Sequence, residues 1–520
     1  MRDLLLAALV AGALVLPVRA QELACEGGAV FIPDVGRFEC DGVALVGYLP
    51  VDAFATDGSP SAAANNDVWG WTDPQTGTEY ALVGTENGTG FVDLSDPTRP
   101  RLVGKLPTQS VPSAWRDLKV YRDHVFVVAE ARDHGVQVFD LTRLRGVGGS
   151  PVTFEPDAVY DRLSSAHNVV VNEETGFAYA VGSRVPPGAG LPASCDTPGF
   201  HTIDVRDPQR PTFAGCFSDA SVETGSRTPG YTHDAQCVVY RGPDADYQGR
   251  ELCFASNEDV VTVFDATDKG AVRVVAKAEY PGEAYTHQGW LTDDQRYFLA
   301  NDELDEVTGT TPTQRTLVFD LADLDTPEFA GAYTSGLTTI DHNLYVRDGY
   351  AFESNYETGL RVVDLGGVAD GDLREVAFFD TYPDANSVSF NGQWSNYPFF
   401  ASGLVIANDR SYGLFVLRPD VLRSTASAPA PPAAFALSDA APNPTPGTAR
   451  LTLRVPAAQA VRADLYDLAG RHVQALYAGE AAPGRDLVLT VDGVALPTGV
   501  YVVRVTGEGF EATRRVTLAR

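Results

Sequence analysis

Half of the histidines in this chain recur at one position of a repeated sequence pattern. They are His167, His233, His287 and His342. Aspartates hold the next position of the pattern in three copies, and two of them, Asp117 and Asp234, are candidate ligands. Imidazole nitrogens and carboxylates together are ligands that transition metals favour in proteins. These residues therefore form a candidate metal- or ligand-binding face.

A second set of acidic residues ends the apolar run that follows these positions. Its candidates are Glu130, Glu258, Glu303 and Glu353. If the two segments are antiparallel strands, the end of the second strand lies beside the start of the first. We then expect the carboxylates to form an outer ring around the histidines.

Three interpretations of this face remain open. In the simplest, each histidine or aspartate bonds turn amides of its own repeat and serves the fold alone. In the second, several imidazoles bind a metal with Asp117 and Asp234, and an open metal position would allow hydrolase or lyase chemistry. In the third, the face binds a ligand directly. The catalytic residues stay unknown, because no G-x-S-x-G, P-loop or H-E-x-x-H motif occurs in the sequence.

The elements that must position these residues recur seven times between 43 and 420. Each copy has a polar pair that opens a β-rich run, then an apolar run that ends in a carboxylate or amide. An alternating strand that ends in Asp follows, as in VTVFDATDK at 261 and TLVFDLADL at 316. Successive pairs stand 50 to 66 residues apart. Such a period is typical of repeat architectures.

A fourth strand follows in six copies, for example RLVGKLP at 101, but not in the last. The closely similar VALVGYLP stands instead at 43, near the start of the chain. A ring of blades that borrows its N-terminal strand explains this displacement and leaves no open edge. The sequence thus predicts an all-β protein with a seven-bladed β-propeller over 43–423. A linear solenoid is the alternative, but it would need polar caps.

The repeats also carry a family resemblance. SAHNVVV, YTHDAQCVVY, YTHQGWLTDD, DHNLYV, NYETGLRVVD and FFDTYP resemble the LVIVD-repeat proteins, in particular the secreted choice-of-anchor B group. Members of that group share this body and end in different attachment or sorting tails. The resemblance implies the propeller fold and a location outside the cytoplasm, but it implies no activity.

A Pro/Ala-rich linker, 424–434, precedes a small domain over 435–520, whose alternating strands predict an Ig-like β-sandwich. Its segments AAPNPTPG, DLYDLAGRHVQAL, LPTGVYVVRV and TRRVTLAR resemble the type A C-terminal sorting domain of type IX secretion. The resemblance implies that the type IX machinery is a partner. It also implies that the tail is removed and the cargo is released or attached at the cell surface.

The start of the chain predicts export. Residues 1–20 have the apolar run and small-residue end of a signal peptide, with cleavage after Ala20, and 21–42 form an N-terminal extension. No later run is long enough for a transmembrane segment. Six cysteines in an oxidising compartment predict disulfides, and short separations favour Cys25–Cys40, Cys195–Cys216 and Cys237–Cys253. Zinc is the rival interpretation, but no C-x-x-C spacing occurs.

The net charge of the chain limits the classes of partner that it can bind. The formal net charge is −30, which excludes nucleic acid as a partner because binding it requires the neutralisation of phosphates. The favoured function is a cell-surface or extracellular binding or adhesion module for an extracellular ligand or surface polysaccharide. A metal-dependent hydrolase or lyase is the alternative. Tryptophans near the repeat starts would stack on a sugar or pack between blades.

No cofactor is certain from the sequence, but a divalent metal, either calcium or a transition metal, is the cofactor that the pattern suggests. The run NDELDE, Asn301 to Glu306, offers the oxygen ligands that calcium takes. It lacks the residue order of an EF-hand loop, so a solvated acidic loop is the competing interpretation.

Overall fold

The computed structural model describes residues 22–55, 65–186, 188–222, 228–423, 436–438, 440–455, 459–467, 470–481, 487–494, 496–507 and 510–519. Strands make up 52% of the chain and helices 5%, so the predicted all-β class is confirmed. The chain divides into two compact units, Met1–Leu422 and Arg423–Arg520. The predicted signal peptide, its cleavage point after Ala20 and the linker 424–434 lie outside the described residues.

Seven sheets form within the described part of the first unit. Three strands precede the first complete sheet: β1 (Ala29–Ile32), β2 (Gly36–Asp41) and β3 (Val43–Pro50). Sheet one has β4 (Asn65–Thr72), β5 (Glu79–Thr85), β6 (Gly88–Asp93) and β7 (Arg101–Pro107). Sheet two has β8 (Arg116–Tyr121), β9 (His124–Ala129), β10 (Val136–Asp140) and β12 (Ala158–Tyr160). Between β10 and β12 the chain adds β11 (Val152–Thr153) to sheet one, where it pairs with β7 in parallel. Sheet three has β13 (Asn168–Asn172), β14 (Phe177–Val181), β15 (Phe200–Asp204) and β16 (Thr212–Phe217).

The remaining sheets repeat this antiparallel order. Sheet four has β17 (Asp234–Val239), β18 (Glu251–Ser256), β19 (Val261–Asp265) and β20 (Arg273–Ala278). Sheet five has β21 (Thr286–Leu291), β22 (Tyr297–Asp302), the helical turn α1 (Asp305–Thr308), β23 (Arg315–Asp320) and β24 (Glu328–Thr334). Sheet six has β25 (Asn343–Arg347), β26 (Tyr350–Ser354), β27 (Leu360–Gly367) and β28 (Asp372–Phe379). Sheet seven has β29 (Gln393–Tyr397), β30 (Val405–Asp409) and β31 (Gly413–Pro419).

Short helical turns complete the unit: 3-10 turns at Val51–Phe54, Leu141–Leu144, Ala193–Cys195 and Val368–Asp370, and α2 at Asp420–Arg423. No helix among the described residues has the length and apolar character needed to cross a membrane.

The sheets are arranged in a ring. The first strand of each sheet contacts the first strands of its two neighbours, and β29 of the last sheet contacts β4 of the first. The last sheet takes its fourth strand from the N-terminus, because β3 pairs with β31 from Val43↔Pro419 to Pro50↔Gly413. The displaced VALVGYLP segment therefore closes the ring.

Apolar cores lie between neighbouring sheets. Phe91 of sheet one stacks on Phe139 of sheet two, with ring centroids 4.8 Å apart. Phe254 and Phe298 repeat this contact between sheets four and five at 6.0 Å. Alternation along each middle strand sends side chains to both sides of the sheet, so every sheet serves two cores. The first strands are left to line the axis of the ring with polar groups.

Three disulfides tie local segments together: Cys25–Cys40, Cys195–Cys216 and Cys237–Cys253. These are the predicted pairs, and the structure contains no free cysteine among the described residues. The zinc alternative is thereby excluded for these cysteines. Disulfides of this kind persist in oxidising compartments, which suggests an exported protein.

The second unit has its own core. Its strands are β32 (Ala436–Leu437), β33 (Thr448–Arg454), β34 (Gln459–Asp467), β35 (His472–Ala481), β36 (Leu487–Asp492), β37 (Gly499–Gly507) and β38 (Phe510–Leu518). They form two antiparallel sheets, ordered β32-β33-β36 and β35-β34-β37-β38 among the described residues. Leu451 and Leu489 of one sheet and Leu465 and Val503 of the other are buried in a common core.

Candidate functional site

The four repeat histidines lie side by side at one end of the first strands. His167, His233 and His342 each directly precede a first strand, and His287 is the second residue of β21. Their ring centroids are separated in turn by 4.2, 4.2 and 4.3 Å. Because sheets three to six are consecutive in the ring, equal positions in the repeat become neighbours in space.

Backbone carbonyls fix the orientation of three of these rings. The Nδ1 atom of His233 lies 2.9 Å from the carbonyl oxygen of His287, and Nδ1 of His287 lies 3.2 Å from that of His342. Nδ1 of His342 lies 2.6 Å from the carbonyl oxygen of Trp394. A carbonyl oxygen only accepts hydrogen bonds, so each Nδ1 carries the proton. Each neutral ring is left with a lone pair on Nε2.

His167 differs from the other three. Its Nδ1 lies 2.7 Å from Oε1 of Glu130. Although burial lowers the pKa of His167, the hydrogen bond and charge of Glu130 raise it above its ordinary value. Burial and the neighbouring imidazoles hold the pKa of His233 and of His287 well below the ordinary range, and burial lowers that of His342 to about 3. The row thus combines one imidazole paired with a carboxylate and three imidazoles whose pKa values are lowered by burial.

Glu303 completes a ligand set with two of the neutral rings. Its Oε2 lies 3.6 Å from Nε2 of His287, and its Oε1 lies 3.6 Å from Nε2 of His342. The Tyr356 hydroxyl donates to Oε1 at 2.7 Å, and burial raises the pKa of Glu303 to about 7. Bonds of 2.0–2.1 Å to a tetrahedral zinc ion hold ligand atoms about 3.4 Å apart. The two observed separations of 3.6 Å are therefore close to those of a zinc site.

These groups line a cavity of about 410 Å³. Its other walls are Ala114, Trp115, Glu130, Tyr231, Tyr285, Leu304, Tyr356, Phe390, Trp394 and Arg410. Trp115 is 47% exposed, so its ring is available at the mouth. We call this space the histidine cavity. It offers nitrogen lone pairs, one guanidinium and aromatic surface to a small ligand.

Asp117 and Asp234 lie deeper along the axis, in a polar layer with Asp67 and Lys119. Lys119 donates to Oδ1 of Asp117 at 2.6 Å, and the backbone N–H of Val169 donates to Oδ2 at 2.6 Å. Both oxygens of Asp117 are therefore engaged away from the imidazole Nε2 atoms.

Asp234 accepts a hydrogen bond from its neighbour Ala235 at 2.7 Å, and burial raises its pKa to about 7. Lys119 is the residue that sequence reasoning missed. Its signal was a lysine within the first strand of a repeat, RDLKVY, where side chains face the axis.

The four outer carboxylates divide into two pairs. Glu130 and Glu303 line the histidine cavity. Glu258 is not among the cavity-lining residues, but it lies beside the wall residue Tyr285, whose pKa is raised by burial and by the Glu258 carboxylate. Glu353 faces the neighbouring sheet, where its carboxylate accepts hydrogen bonds from Thr316 at 2.6 Å and Asn355 at 3.3 Å.

A second cavity, of about 390 Å³, lies at the other end of the same first strands. Its aromatic walls are Trp69, Trp290, Tyr345, Tyr397 and Phe399. Trp69 meets Tyr397 with centroids 5.0 Å apart, and Trp290 meets Tyr345 at 5.1 Å. The two interpretations of the tryptophans from sequence, stacking on a sugar or packing between blades, did not predict this aromatic cavity.

Comparison with known proteins identifies solved structures of similar outline. The chain matches the extracellular domain of a one-component system from B. thetaiotaomicron at 9% identity and a TM-score of 0.40, covering 91% of this chain and 58% of that one. It matches the Cps50 (Swd1) β-propeller domain of Myceliophteria thermophila at 11% identity and a TM-score of 0.43, covering 68% and 97%.

Kuenenia stuttgartiensis hydrazine synthase matches at 10% identity and a TM-score of 0.43, covering 71% of this chain and 98% of that one. No family model and no curated protein matches the chain. Membership of the choice-of-anchor B group and of the type IX cargo proteins therefore stays a prediction.

Proposed function

We propose that this protein is an exported, seven-bladed β-propeller that binds a transition metal, and a small ligand on that metal, in the histidine cavity. One observation carries the proposal: His287 and His342 present Nε2 lone pairs beside the Glu303 carboxylate, with all three ligand atoms within 4.8 Å of one another. The Nδ1–H groups are held by backbone carbonyls, the arrangement that orients histidines at metal centres.

The cavity sets the size of the ligand. About 410 Å³ accommodates one small molecule or the end of a chain, but not an extended polysaccharide. The exposed face of Trp115 provides stacking surface for a sugar or another planar group. Arg410 supplies a positive charge for an anionic group. A small, polar extracellular ligand with one aromatic or sugar-like face fits these walls.

Delivery forms the second part of the proposal. The ring closed by β3 and the three disulfides support an exported propeller. The motifs of the second unit support type IX delivery, with removal of an Ig-like sorting domain at the cell surface. Binding or adhesion at that surface is the role that these features favour.

A metal-dependent hydrolase or lyase is the second candidate function. The same three residues favour it, because two imidazoles and one carboxylate would leave one ligand position of a bound zinc for water or substrate. A metal there supplies Lewis acidity to a carbonyl or a bound water. Tyr231 and Tyr285 stand on the cavity wall where they would orient a substrate.

Elemental analysis of the untagged, full-length chain tests the metal. We expect about one zinc, or another transition metal, per wild-type chain after incubation and desalting, and none in a His287→Ala/His342→Ala variant. His124→Ala, a histidine outside the cavity, is the matched control and should retain the metal. A wild type without metal, or a double variant that retains it, would overturn the metal proposal.

A further inference from the structure

The acidic run Asn301–Glu306 is buried. Asn301, Asp302 and Asp305 are inaccessible to solvent, and Glu306 is 6% exposed. The solvated-loop interpretation of this run is therefore wrong. The run ends β22 and enters α1 at Asp305, where it meets Asp341, which is 1% exposed and stands just before β25 of the next sheet.

Three carboxylates converge at this junction. Asp305, Glu306 and Asp341 each place an oxygen within 4.8 Å of the others. Oδ1 of Asp305 and both carboxylate oxygens of Glu306 are buried without a hydrogen-bond partner. Leaving ionised oxygens without partners in a protein interior is energetically expensive. These unpartnered oxygens, aimed into a common space, indicate that something binds there.

The positive charge near the three carboxylates is smaller than their combined negative charge. Arg315 donates through Nε to Oδ2 of Asp305 at 2.5 Å, and its NH2 group lies 3.8 Å from Asp302. Asp341 is held by the backbone N–H groups of Asp302 and Arg315, each at 3.1 Å. Either protons or a cation must supply the missing charge.

We propose that Asp305, Glu306 and Asp341 bind a calcium ion that joins sheets five and six. The donor set consists of oxygens alone, without imidazole or thiolate, which selects a hard cation over zinc or copper. Calcium accepts six to eight oxygens in irregular geometry, whereas magnesium demands a near-ideal octahedron and usually keeps several waters. The Thr311 hydroxyl is another buried oxygen without a hydrogen-bond partner. It is close in the chain fold to the three carboxylates, because the N–H of Thr311 donates to the backbone carbonyl of Asp305.

The site is independent of the proposed transition metal, but it has a consequence for the histidine cavity. Glu303 lies between Asp302 and α1, on the segment that calcium would fix. The backbone N–H of Glu303 donates to the carbonyl of Tyr285 at 3.1 Å, so this turn also contacts the cavity wall. Calcium would therefore hold in place the carboxylate that faces His287 and His342.

Calcium titration of the full-length chain, stripped with EGTA, tests the proposal. We expect about one calcium per chain by elemental analysis and a rise in Tm of several degrees with calcium at about 100 times its Kd. Asp341→Asn and Glu306→Gln should each weaken binding at least about tenfold, since ligand charge tunes calcium affinity. Asp323→Asn, at an exposed aspartate of the same sheet, should leave binding unchanged.

The contrary outcomes are distinct. A wild type that neither retains calcium nor gains Tm, together with a Glu306→Gln variant that is more stable in EGTA, would identify a shared proton and overturn the proposal. Loss of the transition metal in His287→Ala/His342→Ala with an intact calcium response would leave this proposal standing. The transition-metal proposal and the calcium proposal can therefore be refuted independently of each other.

Discussion

The two ends of the ring axis hold cavities of nearly equal volume that present different polar groups to a ligand. The histidine cavity, about 410 Å³, is floored by imidazole nitrogens and Glu303, whereas the aromatic cavity, about 390 Å³, is walled by Trp69, Trp290 and other rings. The same first strands build both, their first residues at one end and their last at the other. Position along a strand, rather than the strand itself, decides the chemistry.

The polar layer between the cavities explains how they coexist. Lys119 bonds Asp117 at 2.6 Å and Asp67 at 3.4 Å, and its Nζ lies 4.6 Å from the centre of the Trp69 ring. The Lys119 ammonium therefore contacts the carboxylates on one side and the aromatic wall on the other. In this repeated scaffold, a layer of paired charges on the axis separates two cavities. Each cavity therefore needs its own functional assignment.

Breaking the layer should have the largest effect. Lys119→Met leaves Asp117 and Asp67 buried without their cation, and removing one partner of a buried ion pair costs about 3–5 kcal/mol. We expect the free energy of unfolding in urea to fall by that amount and both cavities to be disturbed. Lys277→Met, at an exposed lysine, is the control. A loss no greater than the control's would contradict the bridging role of Lys119.

The metal response should belong to one cavity only. A site-specific ion at about 100 times its Kd stabilises the folded state by about 2.7 kcal/mol. We expect zinc to raise the Tm of the wild type and of Trp290→Ala, and to leave His342→Ala unchanged. Differential scanning calorimetry with and without zinc measures this. An equal zinc response in His342→Ala would show that the ion binds elsewhere.

Aromatic residues should matter unequally for stability. Trp290 is partly buried and contacts Tyr345 and Phe399, with centroids 5.1 and 6.1 Å away, so Trp290→Ala should cost about 2 kcal/mol. Trp115 is 47% exposed at the histidine cavity, and Trp115→Ala should change stability by less than about 0.5 kcal/mol. Chemical denaturation compares them. Equal losses would mean that Trp115 is structural and unavailable to a ligand.

The smallest effect is pH-dependent and belongs to the His167–Glu130 pair. The raised pKa of His167 gives stability that is complete below 6.5 and lost as pH rises through its folded pKa. The lowered pKa of Glu130 gives stability that is present above 4.5 and lost as pH falls through its folded pKa. The pair therefore contributes most between these values.

The contribution should be about 1 kcal/mol or less, because Glu130 is 41% exposed. The measurement compares the free energies of unfolding of the wild type and His167→Gln at pH 5.5 and 8.5, without metal. The advantage of the wild type should be greater at pH 5.5. An advantage that does not change with pH would show that the two side chains stabilise the fold by packing alone.

The sequence predicted the strand order and the disulfides because repeats and short separations are local signals. It could not predict which carboxylate would face the histidines. Glu303 stands just beyond β22 and turns into the cavity, whereas Glu353 lies within β26 and faces the neighbouring sheet. Successive side chains of a strand point to opposite faces, so a shift of one position reverses the role. Lys119 was missed because one of its two carboxylate partners, Asp67, comes from the preceding repeat.

The first unit can close its ring only after its last strand, β31, has been synthesised. Tyr48 donates to the carbonyl of Tyr412, which is 364 residues away, and the whole of β3 depends on a partner that is synthesised last in the first unit. Until β31 exists, β3 lacks its strand partner, and such edges invite pairing with other chains. The sheets that build the histidine cavity precede this event in the chain. A chain truncated before β31 would therefore remain an open arc of sheets with two unpaired edges.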